Sequence, residues 1–277
     1  MTQTMSVHFR GVRGSVPCPG PATVRYGGNT PCLEVRCGER LLIFDAGTGL
    51  RELGNALAAA KAPVDADIFL SHCHVDHING LPFFAPLYAP ANRLRIWAGH
   101  LPPDFPVERA VRMTMSFPVF PVGVEQFAAD LAFRDFRAGE TLTPGPGITL
   151  RTGALNHPDG ATGYRLEYGG RVFAYLTDNE FASPEIDPGL IALARDADLA
   201  VYDTTYTDAE ILSKKGWGHS TWREGLRLAD AAGVKTFCLF HHAPDHDDAA
   251  MDRIAQEAQA TRPGTIVATE GTVIALS

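Results

Sequence analysis

The chain lacks several features that would place it in large, well-defined classes. None of its apolar runs reaches the roughly 18 residues that a membrane span needs. The N-terminal stretch MTQTMSVHFRGVRG holds no apolar segment of signal-peptide length. A cytoplasmic protein without membrane contact is therefore expected. Cysteine is sparse and unpatterned. Cys18, Cys32, Cys37, Cys73 and Cys238 are odd in number and form no CxxC pair, so neither a disulfide framework nor a cysteine-rich zinc site is indicated. Clustered Lys and Arg, which grip nucleic acid through phosphate contacts, are missing, and the formal net charge is -8. An extended nucleic acid is thus an unexpected partner. Low-complexity linkers and convincing internal repeats are absent too. A length of 277 residues with 45% hydrophobic content then reads as one domain over 1–277 with a large core.

What is present is an alternation of short Val-, Ile- and Phe-rich runs with Gly, Pro or Asp punctuation. Strands are predicted at SVHFRGV, TPCLEVRCG, RLLIFDAG, ADIFLSH, RLRIWAG, GITLRTGALNH, TGYRLEYGG, RVFAYLTD, ADLAVYD and TFCLFHH, with a closing pair, TIVATE and TVIALS. Helices are predicted over 49–61, around 106–115, over 220–233 and over 245–261. The third has Ser220 or Thr221 as N-cap and Gly233 as C-cap, and the fourth has acidic residues in its first turn. Strand runs in each half, with helices interspersed, favour two sheets covered by outer helices. The segment from Leu81 to Pro121, with PFFAPLY, LPPDFPVE and SFPVFPV, reads as a pocket wall or subunit contact. Exposed aromatics there would fit a homodimer.

The ends of the strand runs carry the chemistry. Asp45 follows LLIF, His72 follows DIFLS, His157 follows GALN, Asp178 follows FAYLT and His241 follows TFCLF. Residues at the C-terminal ends of strands that share a sheet edge point into one crevice, so this convergence suggests a metal site. Within SHCHVDHING, residues 71–80, His72 and His74 are two apart and face the same side of an extended segment. Asp76 and His77 fall where the chain turns into a helix. Imidazoles suit Zn²⁺ at about 2.0–2.1 Å, and a shared carboxylate would bridge to a second ion roughly 3.5–4 Å away.

In this order the residues resemble the metallo-β-lactamase fold superfamily of hydrolases, whose hallmark HxHxDH reads here His72, Cys73, His74, Val75, Asp76, His77. The resemblance runs from FDAGTG through NHPDG, LTDNE and GHST to FHHAPDH, essentially the whole chain. It implies an α/β fold, a four-layer αββα metallo-β-lactamase sandwich of two mixed β-sheets flanked by helices. It also implies two divalent metal ions, Zn²⁺ foremost, with Mn²⁺ or Fe as alternatives. One ion is held by His72, His74 and His157, the other by Asp76, His77 and His241, with Asp178 bridging and a water or hydroxide between the ions as nucleophile. Asp45 matches a position that supports the histidine loop by hydrogen bonds without binding metal.

The block GHSTWREGLRLADAAGVKTFCLFHHAPDH is similar to the phosphodiesterase branch, which includes the tRNA 3′-end-processing ribonuclease and small cyclic-phosphate phosphodiesterases. His219, 22 positions before His241, takes the place of a histidine that protonates the leaving oxygen or holds a substrate phosphate. Asp76 and His219 are thus the expected catalytic side chains. His242 is expected to line the site, and Asn29 and Thr30 of YGGNT are further possible substrate contacts. His246 reads as a solvated loop residue, Cys73 as a small packed side chain, and Asp203 as support for neighbouring groups or a helix cap. The leading expectation is a phosphodiesterase on a small or cyclic phosphodiester. An RNA 3′-end-processing nuclease, a lactone, thioester or β-lactam hydrolase, and a non-catalytic metal-binding regulator stand as alternatives.

Overall fold

The computed structural model describes residues 4–277. Its strands in chain order are β1 (Met5–Gly11), β2 (Cys32–Cys37), β3 (Arg40–Phe44), β4 (Asp65–Leu70), β5 (Arg93–Ala98), β6 (Asp130–Asp135), β7 (Thr141–Gly145), β8 (Ile148–Leu155), β9 (Ala161–Tyr168), β10 (Arg171–Leu176), β11 (Leu199–Asp203), β12 (Thr236–Phe240), β13 (Ile266–Val267) and β14 (Val273–Leu276). The α-helices are α1 (Gly49–Ala59), α2 (Val75–Ile78), α3 (Val107–Thr114), α4 (Pro188–Ala194), α5 (Trp222–Ala232) and α6 (Asp248–Thr261).

Two sheets of seven strands form, in the orders β14-β1-β2-β3-β4-β5-β6 and β13-β12-β11-β10-β9-β8-β7. Pairing is antiparallel from β14 to β3 and parallel from β3 to β6. The second sheet repeats that succession, antiparallel from β7 to β10 and parallel from β10 to β13. The predicted closing pair is split between the sheets: β14 pairs with β1, whereas β13 pairs with β12.

Burial explains the layers. Strand β1 alternates buried and half-buried residues, as a strand with one face on a core does. Strands β4 and β11 are buried nearly throughout because both their faces are covered. The inner faces meet in an aromatic core centred on Phe44, whose ring packs against Phe69, Tyr164, Phe173 and Tyr175 at centroid separations of 5.3–5.8 Å. Burying one such ring is worth about 1.5–3 kcal/mol. On the outer face of the first sheet, Leu41, Ile43 and Ile68 pack with Leu53 of α1 and Val107 and Val111 of α3. On the outer face of the second, Leu176, Tyr202 and Leu239 pack with Leu193, Trp222 and Ile254. The arrangement is the predicted four-layer αββα sandwich.

Helix α5 starts at Thr221, not Ser220: Thr221 closes a capping box with Glu224, and Gly233 ends the helix in the left-handed region at φ 68°. Strands β6 and β7 and helix α4 have no counterpart in the sequence reading. The two strands lie at a sheet edge with little full burial, so alternation is weak there, and α4 is only seven residues long. The segment from Leu81 to Pro121 divides: Leu81, Phe84 and Leu87 are core residues, whereas Phe83 and Phe117 are exposed. Among the described residues no helix is long and apolar enough to cross a membrane.

Candidate metal centre

The topology delivers polar side chains to one edge. Strands β3, β4 and β5 of the first sheet are followed by Asp45, His72 and His100, and strands β10, β11 and β12 of the second end at or lead into Asp178, Asp203 and His241. Asp45, Asp178 and His241 all take left-handed backbone angles, with φ of 60°, 57° and 62°. A non-glycine residue adopts that conformation at a cost. Here the sharp turn directs the side chain from the strand end toward the crevice between the sheets.

Six of the seven predicted donors fall into two adjoining groups. In the first, His74 Nδ1 lies 2.9 Å from His72 Nε2 and 3.1 Å from His157 Nε2. In the second, His77 Nε2 and His241 Nε2 lie 3.3 and 3.5 Å from Asp76 Oδ2. Asp178 stands between them. Its Oδ1 faces His72 and His157 Nε2 at 4.0 and 3.8 Å, and its Oδ2 faces His77 and His241 Nε2 at 3.3 and 3.4 Å. Donors on a tetrahedral ion with bonds of about 2.0–2.1 Å are separated by about 3.3 Å, close to the spacing of the second group.

Two further observations fit a metal. The Nε2 atoms of His77 and His241 are buried without a hydrogen-bond partner among the described residues, and such orphaned atoms are rare unless something else satisfies them. Burial, reinforced by the neighbouring histidines, holds His72 well below the ordinary imidazole range, which favours the neutral ring with one nitrogen lone pair available. Burial opposes ionisation of Asp76 and Asp178, yet His77 and His241 keep both carboxyls well below the usual carboxylate range.

The rings of His77, His157 and His241 are each oriented through the other nitrogen, the usual way in which outer contacts fix a metal ligand. Asp45 is the hub of the histidine loop. Its Oδ1 accepts from Ser71 N at 2.6 Å, and its Oδ2 meets Ser71 Oγ, His77 Nδ1 and Tyr175 Oη at 2.8, 2.8 and 2.7 Å. His241 Nδ1 meets Thr205 Oγ1 at 2.9 Å. His157 Nδ1 donates to the Gly218 carbonyl at 2.8 Å. A Cβ at Gly218 would fall 2.1 Å from His157 Nδ1, and the residue has φ 86°, so only glycine suits this approach.

His219 lies against both groups, its ring 5.5 Å from His157 and 5.0 Å from His241. Its Nδ1 is 2.8 Å from Asp203 Oδ2. Burial disfavours the imidazolium, but Asp203, helped by Asp178 and Asp76, pushes His219 up to about 9. Asp203 thus acts on the site through His219.

Three expectations are corrected, for His242, His246 and Thr30. His242 does not line the crevice: it is 1% exposed, its Nε2 donates to the Ala268 carbonyl, and its ring packs edge-on to Tyr26. His246 is buried and meets Glu210 Oε1 at 2.9 Å instead of lying in solvent. Thr30 is fully buried, and its hydroxyl accepts from Thr48 N. Asn29 binds Glu270 through its backbone and side-chain nitrogens. His242, His246 and Thr30 are thus buried and engaged within the fold, whereas Asn29 is half-buried with its two nitrogens held by Glu270. His100, not anticipated from the sequence, stands with its ring edge-on to His72 at 6.3 Å. The strand-end rule that found His72 would have found it, since it follows RLRIWAG. Cys73 is partly buried against the outer core, as expected of a packed side chain.

Residues 40–242 match the family model described as Beta-lactamase superfamily domain. A protein named Ribonuclease Z from Salinibacter ruber is 29% identical over 282 aligned residues, covering 83% of this chain and 84% of its own. The metallo-beta-lactamase fold protein YhfI from Bacillus subtilis superposes with a TM-score of 0.72 at 20% identity, over 99% of this chain and 100% of its own. A diphosphatase from the PhnP family gives a TM-score of 0.72 at 20% identity, over 100% and 98%. The two structural likenesses bear on the fold.

Proposed function

The chain belongs to the beta-lactamase superfamily, and we propose that this metal-dependent hydrolase is a dinuclear phosphodiesterase acting on a small or cyclic phosphodiester. The observation that carries the reading is the placement of His219 against both donor groups, with Asp203 on its Nδ1. An imidazolium fixed in this way donates Nδ1–H to Asp203 and keeps its second proton on Nε2, available to a leaving alkoxide or a phosphoryl oxygen. Asp203 fixes the ring orientation, and Asp76 and Asp178 favour the charged form.

His72, His74 and His157 would hold one cation and Asp76, His77 and His241 the other, with Asp178 shared. The three-imidazole group suits Zn²⁺, and a mixed imidazole and carboxylate set also accepts Mn²⁺ or Fe. When bound, such cations supply Lewis acidity for the phosphoryl oxygens and acidify water.

Relatives named Ribonuclease Z, from Salinibacter ruber among others, favour a second reading, RNA 3′-end processing, and weigh against ruling out nucleic acid from net charge alone. A turnover screen separates the two. Metal-defined protein is offered bis-p-nitrophenyl phosphate, cyclic nucleotides, a lactone panel and a tRNA precursor transcript. Turnover of the small diesters without cleavage of the transcript supports the proposal. Cleavage of the transcript at its 3′ trailer establishes the second reading, and turnover of lactones alone overturns both.

A further inference from the structure

A cavity of about 590 Å³ opens beside His72 and His74, within the size range of small-molecule sites. Its far wall is apolar, formed by Leu101, Pro102, Phe105, Ala110 and Met113. These residues belong to the segment that links β5 to β6, of which α3 is the helical part. No Lys or Arg lines the cavity, and the acidic Asp159 borders it, its Oδ2 lying 3.8 Å from His74 Nε2. The Arg109 guanidinium stacks on the Phe105 ring at 4.4 Å without lining the cavity, so an anionic group placed inside would touch no Lys or Arg among the described residues and would meet a carboxylate at the rim. His157, His241 and His219 are not among the lining residues, so the cavity borders the metal centre at His72 and His74 and does not include His219.

We infer that this cavity receives the retained arm of the substrate, and that this arm is uncharged, predominantly apolar and at least the size of one ring. The inference rests on the phosphodiesterase reading, because it divides the substrate into a departing oxygen beside His219 and an arm that stays on phosphorus. The balance is that of hydrolysis: the bond from phosphorus to the departing oxygen breaks, one from phosphorus to a water oxygen forms, the departing oxygen takes a proton from His219, and the proton that the attacking water loses passes to solvent, from which His219 is reprotonated. The retained arm keeps its bond throughout, so the cavity acts on selection and positioning alone.

The test uses metal-loaded protein and three diesters that share the 4-nitrophenolate leaving group and differ in the other arm: methyl, 2-phenylethyl and 2-carboxyethyl. Burying the ring against the apolar wall is expected to raise kcat/KM for the phenylethyl diester about 30-fold over the methyl diester, chiefly through KM. The carboxyethyl diester is expected to fall below methyl. Met113→Glu, at a position 58% exposed and so tolerant of charge, should bring the ratio of phenylethyl to methyl kcat/KM down to about one. Equal kcat/KM for methyl and phenylethyl, or a preference for carboxyethyl, overturns the inference even though the diesterase activity stands. If no diester is turned over, the functional reading fails, and calorimetry then decides the cavity by itself. Tighter binding of 2-phenylethylphosphonate than methylphosphonate, lost in Met113→Glu, supports it, and equal binding overturns it.

Discussion

Replacing Asp45 with Asn isolates the contribution of one buried carboxylate to the metal centre. Asp45 has φ 60°, a conformation that Asn tolerates better than most residues, so the backbone is little disturbed. The carboxylate only accepts hydrogen bonds, and it takes them from Ser71 N, Ser71 Oγ, His77 Nδ1 and Tyr175 Oη at 2.6–2.8 Å. An amide can keep the oxygen that faces Ser71 N, but its NH₂ must then occupy the place of Oδ2, where three groups expect an acceptor. His77 can adapt only by accepting at Nδ1, which moves its proton to Nε2, the atom facing Asp76 and Asp178. That tautomer cannot ligate through Nε2. Loss of such an orienting contact typically lowers metal affinity 10–100-fold, or about 1.4–2.8 kcal/mol. The buried groups left mismatched cost roughly another 2–3 kcal/mol of folding stability. Chelator competition on the loaded protein and urea unfolding of the metal-free protein measure the two effects separately. Unchanged metal affinity in a variant that folds normally would refute the argument that Asp45 sets the His77 tautomer.

His219→Ala is expected to lower kcat about 10²–10⁴-fold with metal content unchanged by elemental analysis, whereas loss of metal would reassign the residue to ligation. Asp203→Asn removes the main carboxylate holding His219 up at about 9. A general acid works in its protonated form and activity falls as pH rises through its pKa, so the basic limb of the kcat/KM profile should move to lower pH by roughly 1–2 units; a limb that stays in place detaches Asp203 from this role. Gly225→Ala puts a Cβ 2.6 Å from the Phe237 ring and 2.9 Å from the Tyr202 ring, and overpacking of that kind costs about 1–3 kcal/mol, read as a lower urea midpoint. Thermal melts of protein stripped of metal should rise on adding Zn²⁺ and gain less in Asp178→Asn, since a ligand stabilises the state that binds it.

Much of the donor set could be read locally. A spacing of two placed His72 and His74 on one side, and the rule that strand ends converge at a sheet edge named Asp45, His157, Asp178 and His241. The same rule, applied without exception, would have included His100. The fold was legible wherever strands are covered on both faces, as at β4 and β11, because full burial demands an apolar run. It was illegible at β6 and β7, where a partly exposed edge leaves no such demand.

His242 and His246 mark the boundary most sharply. They resemble His241 in composition and neighbourhood, yet His241 turns into the crevice at φ 62° while His242 is committed to the Ala268 carbonyl and His246 to Glu210. Partners 26 and 36 residues away settled those fates. Residue chemistry and strand periodicity, both local, set which side chains are able to bind metal and in what order they arrive at the ends of strands. How Asp178 divides its two oxygens, which histidine Asp203 holds, and where the apolar wall meets His72 and His74 came from the fold. Those are relations between segments distant in the chain, fixed by the packing of two sheets and their helices.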